Sequence, residues 1–427
     1  MSPAAPSSTR LRFGATVWSH SVVDFFSFVG VSLLPLIATR LELDNTQKAI
    51  VLGIGPVASG GIQPVVAWIS DKTNSRLPGV LGMLLGVLCV SCLGFAENFW
   101  QLVVLTALGT MGIGAYHPPA AAACGQLSRK RSLGMAIFFL AGMLGGMAGN
   151  IFAPQYVDAM STNADGVRDA GAGLHALTWF IPVGLVFTGV LLWAIQKAPH
   201  RAHDAHERHR NLAAEEQRRR WHAVWLLYAG NVVRFTSNNA LIYLLLRFTE
   251  LHAARVADAG INQDALGTLA SEYNGPIQAA QQLGMGGAGL LLGASLAPRL
   301  EKPMLVATPV LGALAIAAVP WASDAPASVS YWIALALSVT AGVGFGSMLP
   351  VTIGMAQRLL PHRTSLASGL MLGGAWGFAF IGPITAERIE EAAGLKLAHI
   401  AVAGFLLLAA GLATLLPGRL LLETADD

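Results

Sequence analysis

Residues 13–39 read FGATVWSHSVVDFFSFVGVSLLPLIAT, and residues 223–249 read AVWLLYAGNVVRFTSNNALIYLLLRFT. As a helix rising 1.5 Å per residue, either stretch crosses the roughly 30 Å hydrocarbon core of a bilayer. The two also match position by position at an offset of 210. Trp18-Ser19-His20-Ser21-Val22-Val23-Asp24-Phe25 falls on Tyr228-Ala229-Gly230-Asn231-Val232-Val233-Arg234-Phe235. A long apolar span that recurs halfway along the chain predicts a membrane protein built from two copies of one unit.

The rest of the chain agrees. Of 427 residues, 54% are hydrophobic and 12% charged, about half the charge of a soluble domain. That excludes a soluble enzyme, a nucleic-acid binder and a disordered chain. It also argues against an outer-membrane barrel, whose strands are only about 10 residues long and alternate in polarity. Twelve spans are expected: 13–39, 47–70, 77–96, 99–124, 133–160 and 175–197, then 221–249, 275–297, 303–322, 328–357, 365–388 and 397–418. The expected fold class is all-α integral membrane, with twelve transmembrane helices in two pseudo-symmetric six-helix halves. Residues 1–12 are read as a disordered N-terminal tail, 13–197 and 221–418 as the halves, 198–220 as a linker and 419–427 as a C-terminal tail. The apolar run from Phe13 is too long for the core of a cleaved signal peptide.

Basic residues orient the chain. Sorted by alternating sides, 19 of the 27 Lys and Arg fall with the termini and the linker, seven fall on the other side, and Arg234 lies within a span. The positive-inside rule then places both termini in the cytoplasm of a cell, or inner, membrane. Loops 161–174 and 250–274 are expected to face outward.

The repeat continues beyond the first span. At an offset of 232, Gly112-Ile113-Gly114 with Pro118 pairs with Gly344-Phe345-Gly346 with Pro350, and Arg131, Gly142 and Gly145 pair with Arg363, Gly374 and Gly377. Two six-span halves joined by a cytoplasmic linker are the arrangement of major facilitator transporters, with the site expected between the halves near mid-membrane. No Gly-Lys dipeptide occurs, so there is no phosphate-binding loop and no sign of ATP drive.

Ionisable residues at mid-bilayer cost several kcal/mol unless paired or wet. His20 and Asp24 share one face of the first span. Arg234 lies in the seventh, flanked by Asn231 and Asn238. His117, beside Tyr116, precedes Pro118-Pro119, which frees backbone carbonyls. Asp24 and Arg234 hold equivalent repeat positions, so a carboxylate and a guanidinium are expected to face one cavity. There Arg234 stabilises either ionised Asp24 or a bound anion. Asp24 with His20 is the expected proton-coupling site. Arg234, His117, Tyr116, Asn231, Asn238 and Gln63 are the expected substrate-binding set, although a packed core histidine is an equal account of His117.

Asp71-Lys72-Thr73-Asn74-Ser75-Arg76 resembles the loop motif after the second span of major facilitators. The resemblance implies that Asp71, Lys72 and Arg76 latch the halves in one state; Ala67 and Ser75 stand where that motif has Gly. The second-half counterpart, Pro298-Arg299-Leu300-Glu301-Lys302, lacks the Asp. Gly142, Gly145, Gly146 and Gly149 resemble the glycine-rich fifth-span motif of antiporters, and they suit close helix packing equally well. Over most of its membrane part the chain resembles the fosmidomycin resistance family of exporters. The marks are Ser19-His20 with Asp24, Gln63-Pro64-Val65-Val66 before Asp71-Lys72, Tyr116-His117-Pro118, Ala356-Gln357 with Leu359-Leu360-Pro361 and Arg363, and Ser368-Gly369-Leu370. Pro119 departs from the pattern, where a Glu can follow the His-Pro.

The resulting expectation is proton-coupled export of a small organic compound, neutral or anionic, by alternating access. Proton-coupled uptake of an organic anion uses the same residues in reverse, and a receptor or scaffold on this fold is the third reading. No enzyme activity, cofactor, metal or nucleic-acid partner is expected, and the chain is read as a monomer. Cys89, Cys92 and Cys124 are read as apolar fillers. His200, His203, His206 and His209, spaced every three residues, are read as a solvated patch of the linker.

Overall fold

The computed structural model of the protein describes residues 7–73, 75–128, 131–162, 168–196, 214–322 and 324–426. In lipid a backbone has no water to bond, so a spanning segment must satisfy itself as a helix. The twelve spans form in the expected order. The first half holds α1 (Ser7–Arg40), α2 (Asn45–Thr73), α3 (Leu77–Ser91), α4 (Phe99–Leu127), α5 (Arg131–Met160) and α6 (Phe180–Ile195). The second holds α7 (Ala214–Val256), α8 (Gln263–Ser295), α9 (Pro298–Ala322) and α10 (Ala327–Leu359). Then come α11 (364–393) and α12 (395–414), separated by Gly394 at φ 83°, and a last short helix α13 (Gly418–Asp426).

Among the described residues, eight helical stretches are long and apolar enough to cross a membrane by length and composition, one of them holding both α11 and α12. The remaining spans fall short for two reasons. α3 has only 15 residues, while α7 and α8 are long but studded with polar groups. Asn231, Arg234, Asn238 and Asn239 on α7 and Asn274, Gln278, Gln281 and Gln282 on α8 are all buried.

Several expected boundaries move. The tail 1–12 is helical from Ser7, and Arg12 donates to the Trp193 carbonyl at 2.8 Å with its guanidinium 4.8 Å from that ring. The linker is helical from Ala214, continuous with α7; residues 197–213, with His200 to His209, lie outside the described residues. The connection expected over 250–274 shrinks to 257–262, because α7 runs to Val256 and α8 begins at Gln263, capped by Asn262. These turns are helical although polar because Lys48, Arg247, Glu250 and Glu390 pair with one another there.

Within the first half α1 packs on α5, and α4 on both α2 and α3; within the second, α10 packs on both α8 and α9, and α7 on α11. The halves meet along two seams, α5 and α1 against α8, and α2 against α11. A pseudo-two-fold axis exchanges one seam for the other. Ties across the halves cluster at the end remote from the termini. Lys48 bonds Glu250 at 2.8 Å, Thr46 donates to Glu387 at 2.7 Å, Asn274 donates to the Val31 carbonyl at 2.8 Å, and the Leu36 amide donates to Ser271 at 3.0 Å. At the other end Glu301–Arg358 and Glu216–Arg220 stay inside the second half.

Candidate functional site

His20 and Asp24 stand one turn apart on α1, and both are buried. His20 Nε2 lies 3.4 Å from Asp24 Oδ2. The other carboxylate oxygen, Oδ1, lies 3.4 Å from His117 Nε2, brought across from α4. The His117 side chain keeps 28% of its surface exposed, so it is the accessible member of the triad. Tyr116, its buried neighbour, bonds Ser19 on α1 at 2.9 Å, and this pins α4 to α1 beside the site. The His20 ring lies flat on Phe138, with centroids 3.8 Å apart.

Both histidines have a fixed tautomer. His20 Nδ1 lies 2.6 Å from the Phe138 carbonyl, and His117 Nδ1 lies 2.8 Å from the Ile113 carbonyl. A carbonyl only accepts, so each Nδ1 carries the hydrogen. The neutral rings therefore leave an Nε2 lone pair beside each carboxylate oxygen, with no hydrogen between them. Each contact becomes attractive only when a proton or another cation joins the two atoms. Gly142 on α5 makes room for this arrangement: a Cβ there collides with Asp24 Oδ2 and the His20 ring. The glycine run 142–149 packs on α1, with Gly145 against the Ser21 carbonyl and Gly149 against the Phe25 carbonyl, and Gly146 turns toward Gln282 of α8.

Arg234 is not part of the triad. It is buried in the second half, donating to Asn231 Oδ1 at 3.1 Å and to the Leu305 carbonyl at 3.1 Å, while its Nε has no partner. The expected pairing of Asp24 with Arg234 is therefore absent in this state. A two-fold axis makes the positions equivalent without making them adjacent. Asn231 ties α7 to Thr352 at 3.1 Å and to the Met371 carbonyl at 3.3 Å. That carbonyl sits in a π-helical turn, Leu370–Gly374, whose i→i+5 pattern loosens α11 at this level. Asn238 accepts from Gln281 at 2.9 Å. Gln63 reaches the same π turn from α2, packed where Gly373 has no side chain.

Two of the three expected gating residues, Lys72 and Arg76, have described side chains. Lys72 lies 4.8 Å over the Trp68 ring, and Arg76 bonds Gln126 at 2.5 Å. Burial holds the Arg76 guanidinium down to about 10, still charged at neutral pH. The Asp71 side chain lies outside the described residues. In the second half Glu301, within the counterpart segment that lacks the Asp, pairs with Arg358 at 2.5 Å.

Two groups escaped the sequence reading. Asn150 on α5 has both amide atoms buried without a partner, as has Gln282 on α8, and Gln281 Oε1 and Asn239 Nδ2 are likewise unpartnered. Helical spacing of Gln278, Gln281 and Gln282, inside the expected span 275–297, was the available signal. The ion network at the remote end is the other group. It borders a cleft of about 460 Å³ lined by Thr39, Glu42, Lys48, Glu250 and Gln263, among others.

Twelve spanning helices in two related halves, among the described residues, with charged groups buried between them, define a multi-pass membrane protein. The sequence model of the Major Facilitator Superfamily matches residues 17–271, and the chain belongs to that superfamily. It is 25% identical over 410 residues to an uncharacterised MFS-type transporter, YfnC, of Bacillus subtilis strain 168, covering 93% of this chain and 90% of that one. It is 23% identical over 409 residues to the fosmidomycin resistance protein of Escherichia coli K12, covering 93% and 91%. Among solved structures, a bacterial homolog of the human lysosomal transporter Spinster, inward-facing and occupied, superimposes with a TM-score of 0.71 at 14% identity over 99% of both chains. A POT family transporter in complex with 5-aminolevulinic acid gives 0.68 at 13% identity over 96% of both. These last two likenesses concern the fold.

Proposed function

We propose that the protein is a proton-coupled exporter of a small organic anion, working as a monomer in the cell membrane by alternating access. One observation carries the reading: His20, Asp24 and His117 meet with both Nδ1 hydrogens already committed to carbonyls. Two contacts between lone pairs invite exchangeable protons, and His117 is open to solvent on one side. Arg234 supplies the substrate charge. It is buried with neutral hydrogen-bond partners, so an arriving anion compensates a cation that is costly to bury alone. Direct competition of Asp24 and substrate for Arg234 is replaced by coupling through the rocking of the halves, with His117 as the link to the open side. Export is supported by the relative named for fosmidomycin resistance, and fosmidomycin is the first compound to test. With the termini in the cytoplasm, closure at the remote end corresponds to a state open inward.

The test is flux in proteoliposomes under an imposed pH gradient, followed for candidate anions in both directions. Proton-driven movement out of the cytoplasmic side supports export, and movement inward with protons establishes uptake instead. Concentrative transport by Asp24→Asn from a proton gradient alone overturns the mechanism.

A further inference from the structure

His20 Nε2, a carboxylate oxygen of Asp24 and His117 Nε2 all lie within 4.8 Å of one another, and we propose that they form a binding site for a first-row divalent metal ion, zinc being the representative. The spacing is the first support. Metal–nitrogen bonds of about 2.0–2.1 Å and metal–oxygen bonds of about 2.0–2.2 Å, meeting at a tetrahedral angle, hold their donor atoms about 3.4 Å apart. His20 Nε2 stands 3.4 Å from Oδ2 and His117 Nε2 3.4 Å from Oδ1, longer than the roughly 2.7–3.2 Å of an N–H···O hydrogen bond. Small side-chain rotations within the 4.8 Å cluster bring one oxygen to both nitrogens.

The orientation of the rings is the second support. A ligating histidine donates its other N–H to a carbonyl or carboxylate, which fixes tautomer and direction. Phe138 and Ile113 supply those carbonyls, so both Nε2 atoms keep a free lone pair beside the carboxylate. Two imidazoles and one carboxylate suit zinc, cobalt or nickel rather than calcium or magnesium. Three protein ligands leave a fourth position open, and the exposed flank of His117 gives the ion a way in. Gly142 leaves the space unfilled by any side chain of α5. The site does not rest on the transport reading, because it belongs to the resting protein, although metal and protons would hold the same lone pairs and so displace one another.

The experiment uses the full chain in detergent, free of any tag, with His200, His203, His206 and His209 replaced by Ala to silence the linker. Cobalt(II) is titrated and followed by visible absorption, then displaced by zinc. The expected result is one equivalent of cobalt with bands of low coordination number, exchanged by one equivalent of zinc. His117→Gln and Asp24→Asn are expected to weaken binding by roughly tenfold or more, with thermal unfolding confirming that each variant is folded. Absence of stoichiometric binding by the linker-silenced protein overturns the site, whatever the variants do. Binding unchanged in a folded His117→Gln overturns it equally. Neither result depends on flux, so failure here is distinct from failure of the proton-coupling reading.

Discussion

A neutral imidazole has one hydrogen to give, and at both His20 and His117 a backbone carbonyl has taken it. That small fact decides how the carboxylate between them behaves. Asp24→Asn keeps the shape and offers an amide donor to one imidazole, so the variant is expected to insert and fold while losing its response to a pH gradient. Measured proton-driven flux checks this, with unfolding temperature as the control. Arg234 is a different kind of buried charge, held by Asn231 and Leu305 and by no carboxylate. Arg234→Ala is expected to weaken binding of anionic substrates by roughly tenfold or more, about 1.4 kcal/mol, and to leave neutral analogues unaffected. Equal losses for both classes, measured by equilibrium binding, would sink its role as the anion's partner.

Helices touch at chosen faces, and here the choice is made by missing side chains. Along α5 the glycines let α1 come close enough for Gly142 to abut the triad. A methyl group there must displace Asp24 or His20, so Gly142→Ala is expected to destabilise by about 1–3 kcal/mol and to impair proton-driven flux. Gly189→Ala on α6, where nothing lies within 4 Å of the added carbon, is expected to change neither. Thermal unfolding of the pair makes the comparison. At the ends of α2 and α9 the motif reading predicts a latch. Asp71→Asn is expected to slow turnover in a folded, inserted protein, and unchanged turnover would reduce the motif to a topology signal. In the second half Glu301 pairs with Arg358, and that pair lies within the half.

At the scale of the molecule, the two halves are tied at one end by pairs whose parting the proposed alternating access requires. Lys48–Glu250 and Thr46–Glu387 are the clearest of them. Glu250→Gln weakens the first and also the contact with Arg247, so the population is expected to shift toward opening at that end. A cysteine at Ser271, buried between α8 and α1, should then react roughly tenfold faster with a maleimide, if the pair contributes about 1.4 kcal/mol to closure. An unchanged rate would remove the ion pair from the gate. Orientation has its own check. A cysteine in the connection 257–262 is expected to react with an impermeant reagent added outside, and reaction only from the cytoplasmic side would reverse the topology.

The sequence by itself determined that this is a membrane protein of twelve spans in two related halves. Hydropathy and repeat spacing are local sums along one strand of chain, and no neighbour can cancel them. The same local reading found His20, Asp24, His117 and Arg234, because a charge inside an apolar run stands out wherever its partner is. Only the tertiary structure decided who meets whom. Whether two side chains on different helices touch depends on each helix's rotation about its axis and its height in the membrane. A hydropathy profile contains neither quantity. The repeat alignment joined Asp24 to Arg234 because it records equivalence about an axis, whereas contact requires both residues to lie close to that axis. Asp24 instead turned toward a histidine on α4, and Arg234 turned into its own half. The amides of α8 became an interface between the halves for the same reason: a polar face has no assigned partner until the helices have packed.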